Sequence, residues 1–305
     1  IGERMARDKE FDSSLFLENV FKASAINGKL YTLTNGVSLT GIVSSRSLVG
    51  DRTGWTVQEF QSFVDQQQDP STLFYQMPGE GILNMLLMGN LSAYIDREKG
   101  LAKFDSPDFI QLLEFAKKYG VDPNQYQEGG MEPMPANGET SGPALQMFWL
   151  SRFEDYSSFN QTYKGEAVML GLPSQQRSGP MINSYSALAM AKTSKNQDIV
   201  WDFFKFYLSE AMQDQVITNY EGFPVRKSSL QKAGAKAIAD TAQYSQEQPL
   251  PEGDVKSSDM GIWYGARVTQ ADVDAVTAIL SQADTLYAYD DKAYQLISEE
   301  TQSFF

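Results

Sequence analysis

The chain has 305 residues, of which 42% are hydrophobic and 21% are charged, so it is long enough for two globular domains. Its net charge of −14 disfavours nucleic acids and anionic membranes, because both carry negative charge themselves. It has no cysteine and no histidine, which excludes disulfide scaffolds, thiol nucleophiles, Ser-His-Asp triads and most transition-metal sites. We therefore expect no cofactor and no metal, although carboxylate or lysine chemistry and all-oxygen calcium sites remain open.

The first predicted elements are a helix within residues 11–26 and two strands. Asn27-Gly28 predicts a turn, followed by strands at 29–34 and 37–44, the second of which is rich in β-branched residues. No apolar run in the chain approaches the ~20 residues of a membrane-spanning helix. Residues 1–10 are polar and charged, so we expect any targeting segment to have been removed or to lie upstream.

Two helix starts have clear signals. Thr56 followed by Glu59 forms a capping-box pattern, and Trp55 just before it predicts a hydrophobic staple. Ser106 with Pro107 at the first helical position predicts a second helix, which Gly120 would end.

The second half of the chain continues this alternation. Residues 121–143 contain four prolines and have no regular pattern, after which strands are predicted at 167–172 and 186–191. A helix over 197–208 has a wide apolar face made of Ile199, Trp201, Phe203, Phe204 and Tyr207. Thr269 with Asp272 predicts the cap of a late helix. Alternating strands and helices favour an α/β architecture with mainly parallel sheets.

Several motifs in this order resemble the family 1 extracellular solute-binding proteins, which include maltose-binding-protein-like carbohydrate receptors. The matching segments are GKLYTLTNGVSLTGIVSSR at 28–46, GWT at 54–56 with Glu59, FDSP at 104–107, ALAMA at 187–191, WDFF at 201–204 and FPV at 223–225. Thr34 stands where the family commonly has proline, and Ser44-Ser45 where it commonly has Tyr-Asn. Each segment is short and local; their collinear succession carries the resemblance.

The resemblance implies an α/β, two-lobed periplasmic-binding-protein-like type II fold with an incomplete first lobe. Residues 1–50 would be a remnant of lobe one with the hinge strands, 51–210 lobe two, 211–258 a return to lobe one, and 259–305 C-terminal helices packing on lobe two. Family members carry roughly another hundred residues before the matching region. We therefore expect exposed apolar surface on the first lobe.

The resemblance also implies a function. The chain would be the substrate-binding component of an ABC importer. It would capture a carbohydrate, specifically an oligosaccharide, between two lobes that close about residues 30–44. It would be a monomer whose partners are the carbohydrate ligand and a membrane permease, with no nucleic acid. It would be extracellular, anchored as a lipoprotein through an upstream segment, and the absence of cysteine is common in exported Gram-positive proteins.

The strongest candidate ligand residues are aromatic, because a ring face packs well against the C–H face of a sugar. Trp149 ends the apolar run 144–150, and Trp263 and Tyr264 lie in a segment similar to one with a ligand-stacking tryptophan in the family's maltose-binding-protein-like members. Arg267 follows in that segment. Packing between structural elements is the alternative explanation for both tryptophans.

Further candidates lie beside predicted strands and helices. Asn183 and Tyr185 precede a strand, where loops of α/β sheets line clefts, and Tyr75 precedes a predicted helix start. A purely structural turn explains these positions equally well.

Two other classes of function stay open at this point. One is a glycoside-active enzyme with paired carboxylates, for which the acid pairs are 154–155, 290–291 and 299–300; a solvated surface explains such adjacent pairs better. The other is an adhesion or structural module without a small ligand, in which the aromatic residues would be buried or scattered. Because a solvated surface explains the acid pairs better than catalysis does, we expect the chain not to be an enzyme.

Overall fold

The computed structural model describes residues 1–74, 77–121, 144–218, 222–247, 267–288 and 290–305. The helices are α1 Gly2–Arg7, α2 Glu18–Ala23, α3 Arg46–Val49, α4 Val57–Asp65, α5 Ser71–Phe74, α6 Gly79–Met88, α7 Leu91–Tyr94, α8 Pro107–Tyr119, α9 Phe153–Thr162, α10 Gln197–Tyr207, α11 Glu210–Thr218, α12 Lys227–Glu247, α13 Gln270–Gln282 and α14 Asp291–Thr301. The strands are β1 Ala25–Ile26, β2 Lys29–Leu30, β3 Thr32–Leu33, β4 Gly36–Ser45, β5 Ile95–Asp96, β6 Leu101–Ala102, β7 Gln146–Leu150, β8 Ala167–Leu170, β9 Met181–Ser184, β10 Leu188–Ala189 and β11 Phe223–Pro224.

The main sheet is organised around the ten-residue strand β4. β9 pairs with the first half of β4, and β8 pairs with its second half. β7 and β11 also pair with β4, and each does so at positions that overlap the positions paired with β9. β9 and β8 therefore lie end to end on one edge of β4, and β7 and β11 lie on the other. Gly41 allows this arrangement, because a Cβ there would lie 2.3 Å from the carbonyl oxygen of Leu170.

The prediction of mainly parallel sheets is wrong, since every strand-to-strand pairing among the described residues is antiparallel. β7 and β8 are joined through α9 and run parallel to each other, as strand–helix alternation implies. They lie on opposite edges of β4, which runs the other way between them. Alternation along the chain indicates the relative direction of consecutive strands, but it does not indicate which strand lies between them.

Two hydrophobic cores lie on opposite faces of this sheet. Val37, Leu39 and Val43 of β4 belong to the first core, with α2, α9, α10, α12 and α13. Ile42 belongs to the second core, with α4, α6, α8 and α14. This distribution follows from the alternation of side chains along a strand, which points consecutive residues to opposite faces.

The predicted helix starts are confirmed. Thr56 and Glu59 form a reciprocal capping box, and the ring of Trp55 packs edge-on against Phe60 at 5.5 Å, which is the contact of a hydrophobic staple. Ser106 accepts a hydrogen bond from the backbone N–H of Phe109. Thr269 forms a capping box with Asp272.

The predicted single apolar face of α10 divides into two faces. Trp201, Phe204 and Tyr207 are buried in the first core, whereas Ile199 and Phe203 are exposed, together with Phe206. Trp201 is thus a core residue, as its position in the apolar stripe indicated, and its Nε1–H donates to Asp8 at 2.7 Å. Large apolar side chains are also exposed at Ile26 and Tyr31, in the region that the sequence assigns to the first lobe.

Candidate functional site

The candidate site lies on the second-core face of β4, where polar residues take the place of the apolar core. Ser38 and Thr40 point to the same face as Ile42, because side chains alternate along the strand. Both hydroxyl-bearing residues are buried. A strip of polar groups therefore continues the face of the sheet beyond the end of the second core.

Asn183 is held by this polar strip. It pairs with Ser38 in the ladder between β9 and β4, so its side chain lies on the same face. Its Nδ2 donates to Thr40 Oγ1 at 2.7 Å and to Ser38 Oγ at 3.2 Å. Both amide hydrogens are thus used, while the buried Oδ1 has no hydrogen-bond partner among the described residues.

Trp149 lies on the opposite side of the same strip. It pairs with Thr40 in the ladder between β4 and β7, which places its side chain on the same face. Its neighbours Phe148 and Leu150 point to the first core, where Phe148 packs edge-on against Phe159 at 4.6 Å. Trp149 itself is 48% exposed although it sits within a strand. A large aromatic ring is therefore presented beside buried polar groups instead of being packed into either core.

Tyr185 completes this face at the start of β4. Its backbone N–H donates to the carbonyl oxygen of Gly36 at 3.3 Å, which continues the pairing of β9, and its side chain is 49% exposed. The ring reaches across to Gly222, where a Cβ would lie 2.8 Å from its Cε2 atom. We call the surface formed by Ser38, Thr40, Trp149, Asn183 and Tyr185 the aromatic-polar face.

The turn that follows Trp149 is fixed by a buried carboxylate. Asp155 Oδ2 accepts hydrogen bonds from the backbone N–H groups of Ser151 and Arg152, at 3.1 and 3.0 Å. Its burial raises its pKa to about 6, against the lowering effect of those two N–H groups and of the Arg152 guanidinium. The solvated-surface explanation is therefore wrong for this member of the 154–155 pair, which caps α9.

The first acid of the 290–291 pair also has a structural role. Asp290 caps α14 by accepting from the N–H of Ala293, and it pairs with Arg97. Both contacts lower the pKa of its carboxyl group. Neither Asp155 nor Asp290 belongs to the aromatic-polar face.

The structure brings together three of the residues predicted from sequence and places a fourth elsewhere. Trp149, Asn183 and Tyr185 share the aromatic-polar face. The carbonyl oxygen of Arg267 accepts from Ser157 Oγ at 2.9 Å, so its main chain lies against α9 on the first-core side of the sheet. The other three predicted ligand residues, Tyr75, Trp263 and Tyr264, lie outside the described residues.

Sequence reasoning missed three residues of this region. Ser38 and Thr40 alternate with the apolar residues Val37 and Leu39 along the strand. Polar residues at every second position of an apolar strand are therefore the signal that could have found them. Gly222 directly precedes the recognised FPV segment, but its contact with Tyr185 joins chain segments that only the fold brings together.

A separate concave surface lies along α4. It has a volume of about 740 Å³ and is lined by polar and charged residues that include Arg52, Glu59 and Arg177. Arg177 pairs with Glu59, and Arg52 packs over the ring of Trp55 at 4.4 Å. Of the predicted ligand residues, the four that the structure describes do not line this surface.

Two absences hold for the part of the chain that the structure describes. None of its helices is both long and apolar enough to cross a membrane. No group of three or more acidic side chains there is arranged so that it could hold a metal ion.

Comparison with solved structures shows the fold. An extracellular solute-binding protein family 1 structure from Alicyclobacillus acidocaldarius is 11% identical with a TM-score of 0.51, covering 98% of this chain and 72% of its own. A periplasmic oligogalacturonide-binding protein from Yersinia enterocolitica is 14% identical with a TM-score of 0.50, covering 96% and 72%. A de novo designed esterase is 13% identical with a TM-score of 0.53, covering 95% and 71%. The chain thus has a mixed helix–sheet, two-lobed periplasmic-binding-protein-like fold.

The family assignment rests on a match that extends over most of the chain. No curated protein has a significant match. The model of the family described as bacterial extracellular solute-binding protein matches residues 4–246. This chain therefore belongs to the bacterial extracellular solute-binding proteins.

Proposed function

We propose that this protein is the substrate-binding component of an ABC importer and captures a carbohydrate, specifically an oligosaccharide, between its two lobes. The observation that carries the proposal is Trp149, a half-exposed ring held in a strand beside the polar groups of Thr40 and Asn183. A sugar offers the matching chemistry, because its C–H face packs on an aromatic ring and its hydroxyl groups hydrogen-bond to polar side chains.

The fold supports the same proposal. One neighbour of similar fold is a periplasmic protein that binds oligogalacturonide. β4 belongs to the main sheet and follows the short strands β2 and β3, so closure of the lobes about residues 30–44 would act directly on the aromatic-polar face. Closure would then present both lobes to a membrane permease. The boundaries of the lobes, the monomeric state, the lipid anchor and the Gram-positive origin remain predictions from the sequence.

The alternative of a carboxylate-dependent enzyme has less support. Asp155 and Asp290 each cap a helix, and neither lies on the aromatic-polar face. Canonical glycoside hydrolysis needs two carboxyl groups that flank a bound sugar. The similarity to a designed esterase is one of fold, at 13% identity.

A thermal-shift screen with mono- and oligosaccharides tests the proposal. Ligand at one hundred times its Kd stabilises the native state by about 2.7 kcal/mol, which raises Tm by roughly 5 °C for a chain of this size. Trp149→Ala is expected to weaken binding about tenfold, which corresponds to about 1.4 kcal/mol of lost ring contact. Phe203→Ala is the matched control, because it removes an equally exposed ring from α10.

Two results would contradict the proposal. Equal loss of affinity in the Trp149 and Phe203 variants would show that Trp149 does not contact the sugar. Cleavage of any sugar in the screen, without a shift of Tm, would favour the enzyme alternative.

A further inference from the structure

We propose that the concave surface along α4 is a second binding site, and that it takes a sugar acid, a small ligand with one carboxylate and several hydroxyl groups. Its volume of about 740 Å³ lies within the range of about 300–1,000 Å³ that is typical of small-molecule sites. None of the five residues of the aromatic-polar face lines it. The inference therefore does not depend on the proposed function.

Arg52 brings an uncompensated positive charge to this surface. Glu59 is the one acid among the described residues that line it, and both of its carboxylate oxygens are engaged. Its Oε2 accepts from the backbone N–H of Thr56 at 2.8 Å, and its Oε1 pairs with Arg177. The side chain of Arg52 makes neither an ion pair nor a hydrogen bond within the described part of the chain. The surface is thus locally positive on a chain with a net charge of −14, which favours an anionic ligand.

The guanidinium of Arg52 is held in place without using its hydrogen-bond donors. Its Cζ lies 4.4 Å from the centre of the Trp55 ring and 5.7 Å from that of the Phe63 ring. Attraction to the face of a ring leaves the N–H groups at the edge of the guanidinium available. A carboxylate matches this edge, because its two oxygens can accept from two parallel N–H groups.

The segment that contains Arg177 brings a second guanidinium to the same surface. Gly54 permits the close approach of this segment, because a Cβ there would lie 2.2 Å from the carbonyl oxygen of Ser178. The pKa of the Glu59 carboxyl is lowered, first by the backbone N–H of its capping box and then by the charges of Arg177 and Arg52. The two arginines and the acid therefore lie within electrostatic reach of one another.

A row of uncharged polar side chains extends from the arginines along α4. Gln58, Ser62 and Gln66 are four residues apart, so they lie on one side of the helix. Their side chains make no hydrogen bond to the residues that the structure describes. Amide and hydroxyl groups both donate and accept, which matches the hydroxyl groups of a sugar. A simple anion would use the arginines and leave this row without a function, whereas a sugar acid uses both.

NMR spectroscopy and isothermal titration calorimetry test the proposal with D-glucuronate as the probe. D-Glucose is the matched neutral sugar, and acetate is the matched carboxylate without hydroxyl groups. We expect glucuronate to shift the Nε–H resonance of Arg52, which is assigned by its absence from the spectrum of Arg52→Lys. Glucose should leave this resonance unchanged, and acetate should bind about tenfold more weakly than glucuronate.

Substitutions separate this site from the rest of the molecule. Arg52→Gln removes the charge and the forked donors and should weaken glucuronate binding about tenfold or more, and Arg52→Lys, which keeps only the charge, should fall between it and the wild type. Arg7→Gln is the matched control, because it makes the same change at an exposed arginine of α1, and it should alter the affinity less than twofold. Trp149→Ala should likewise alter it less than twofold.

Several results would overturn the inference. Equal affinities of Arg52→Gln and Arg7→Gln for glucuronate would refute the site, as would binding that leaves the Arg52 resonance unshifted or no binding of glucuronate at all. Equal affinities for acetate and glucuronate would refute the assignment to a sugar acid. The resonance is measured on the wild-type protein, so the test holds even if an Arg52 variant has a lowered Tm. The receptor function is decided separately, by the dependence of neutral oligosaccharide binding on Trp149.

Discussion

The buried carboxylate of Asp155 makes the stability of the protein depend on pH in a way that one substitution should remove. The group is 2% exposed, and its burial raises its pKa from 3.8 to about 6. Because the folded state holds the proton more tightly than the unfolded chain, the folded state is penalised once the pH rises above 3.8. The penalty grows up to a pH of about 6 and is then constant. Its size is about 3 kcal/mol, from 1.36 kcal/mol for each pKa unit.

Asp155→Asn should remove this penalty while keeping the helix cap. The amide oxygen of asparagine can still accept from the N–H groups of Ser151 and Arg152, which are the contacts that close the turn. We expect the free energy of unfolding of the variant, relative to that of the wild type, to increase by about 2.4 kcal/mol between pH 4 and pH 7, so that the variant becomes the more stable protein. Near pH 4 the two proteins should differ little, apart from the change in hydrogen bonding.

Urea denaturation at half-unit steps from pH 4 to pH 8 would measure this difference directly. Asp274→Asn is the control, because it makes the same chemical change at an exposed position of α13. A curve for Asp155→Asn that runs parallel to that of the wild type would refute the reasoning, since it would mean that the folded protein holds the carboxyl at its ordinary pKa.

Three further substitutions test local contacts. Thr56→Ala removes the capping box of α4 and should lower the free energy of unfolding by about 1 kcal/mol, measured by urea denaturation, with Thr56→Ser close to wild type. Gly222→Ala should lower Tm more than Gly28→Ala, because both glycines have positive φ but only Gly222 has backbone and ring atoms within 3 Å of the added Cβ. Equal losses would show that strain in φ alone decides the effect. Thr40→Val leaves one amide hydrogen of Asn183 unpaired and should cost about 1–3 kcal/mol. Thr40→Val should lower the free energy of unfolding by less when Asn183 is already replaced by leucine, because the hydrogen bond is then already absent. If the effects of the two substitutions simply add in the double mutant, the hydrogen bond does not contribute to stability.

The features that the sequence predicted well are those controlled by neighbouring residues. The caps at Thr56, Ser106 and Thr269 depend on side chains that reach backbone groups three residues away, so the pattern alone contains the interaction. Burial of Trp201 also followed from helical periodicity. The succession of short motifs indicated the family, which the match over residues 4–246 confirms.

The features that the sequence did not predict depend on which segments meet. Periodicity grouped Phe203 with Phe204 in one apolar face, but the position of α10 against the first core leaves Phe203 exposed. Trp149 and Asn183 were selected one by one from their positions near strand ends. Their common face depends on the register of two ladders to β4, which is set by long-range pairing.

β4 shows why a binding face can be built into a core strand without separating it from the sheet. One face of β4 contributes Val37 and Leu39 to the first core. These contacts hold the strand in the sheet even where its other face is polar. On the other face Ile42 closes the second core, and two residues earlier Thr40 begins the polar strip. Its hydroxyl group is buried and accepts a hydrogen bond from Asn183 at 2.7 Å, whereas the buried Oδ1 of Asn183 has no partner among the described residues. The hydrogen bonds to Ser38 and Thr40 hold the side chain of Asn183 in place before any ligand arrives. Pairing with β4 likewise holds the backbone of Trp149 in place. A rigid sheet preorganises a binding site in this way.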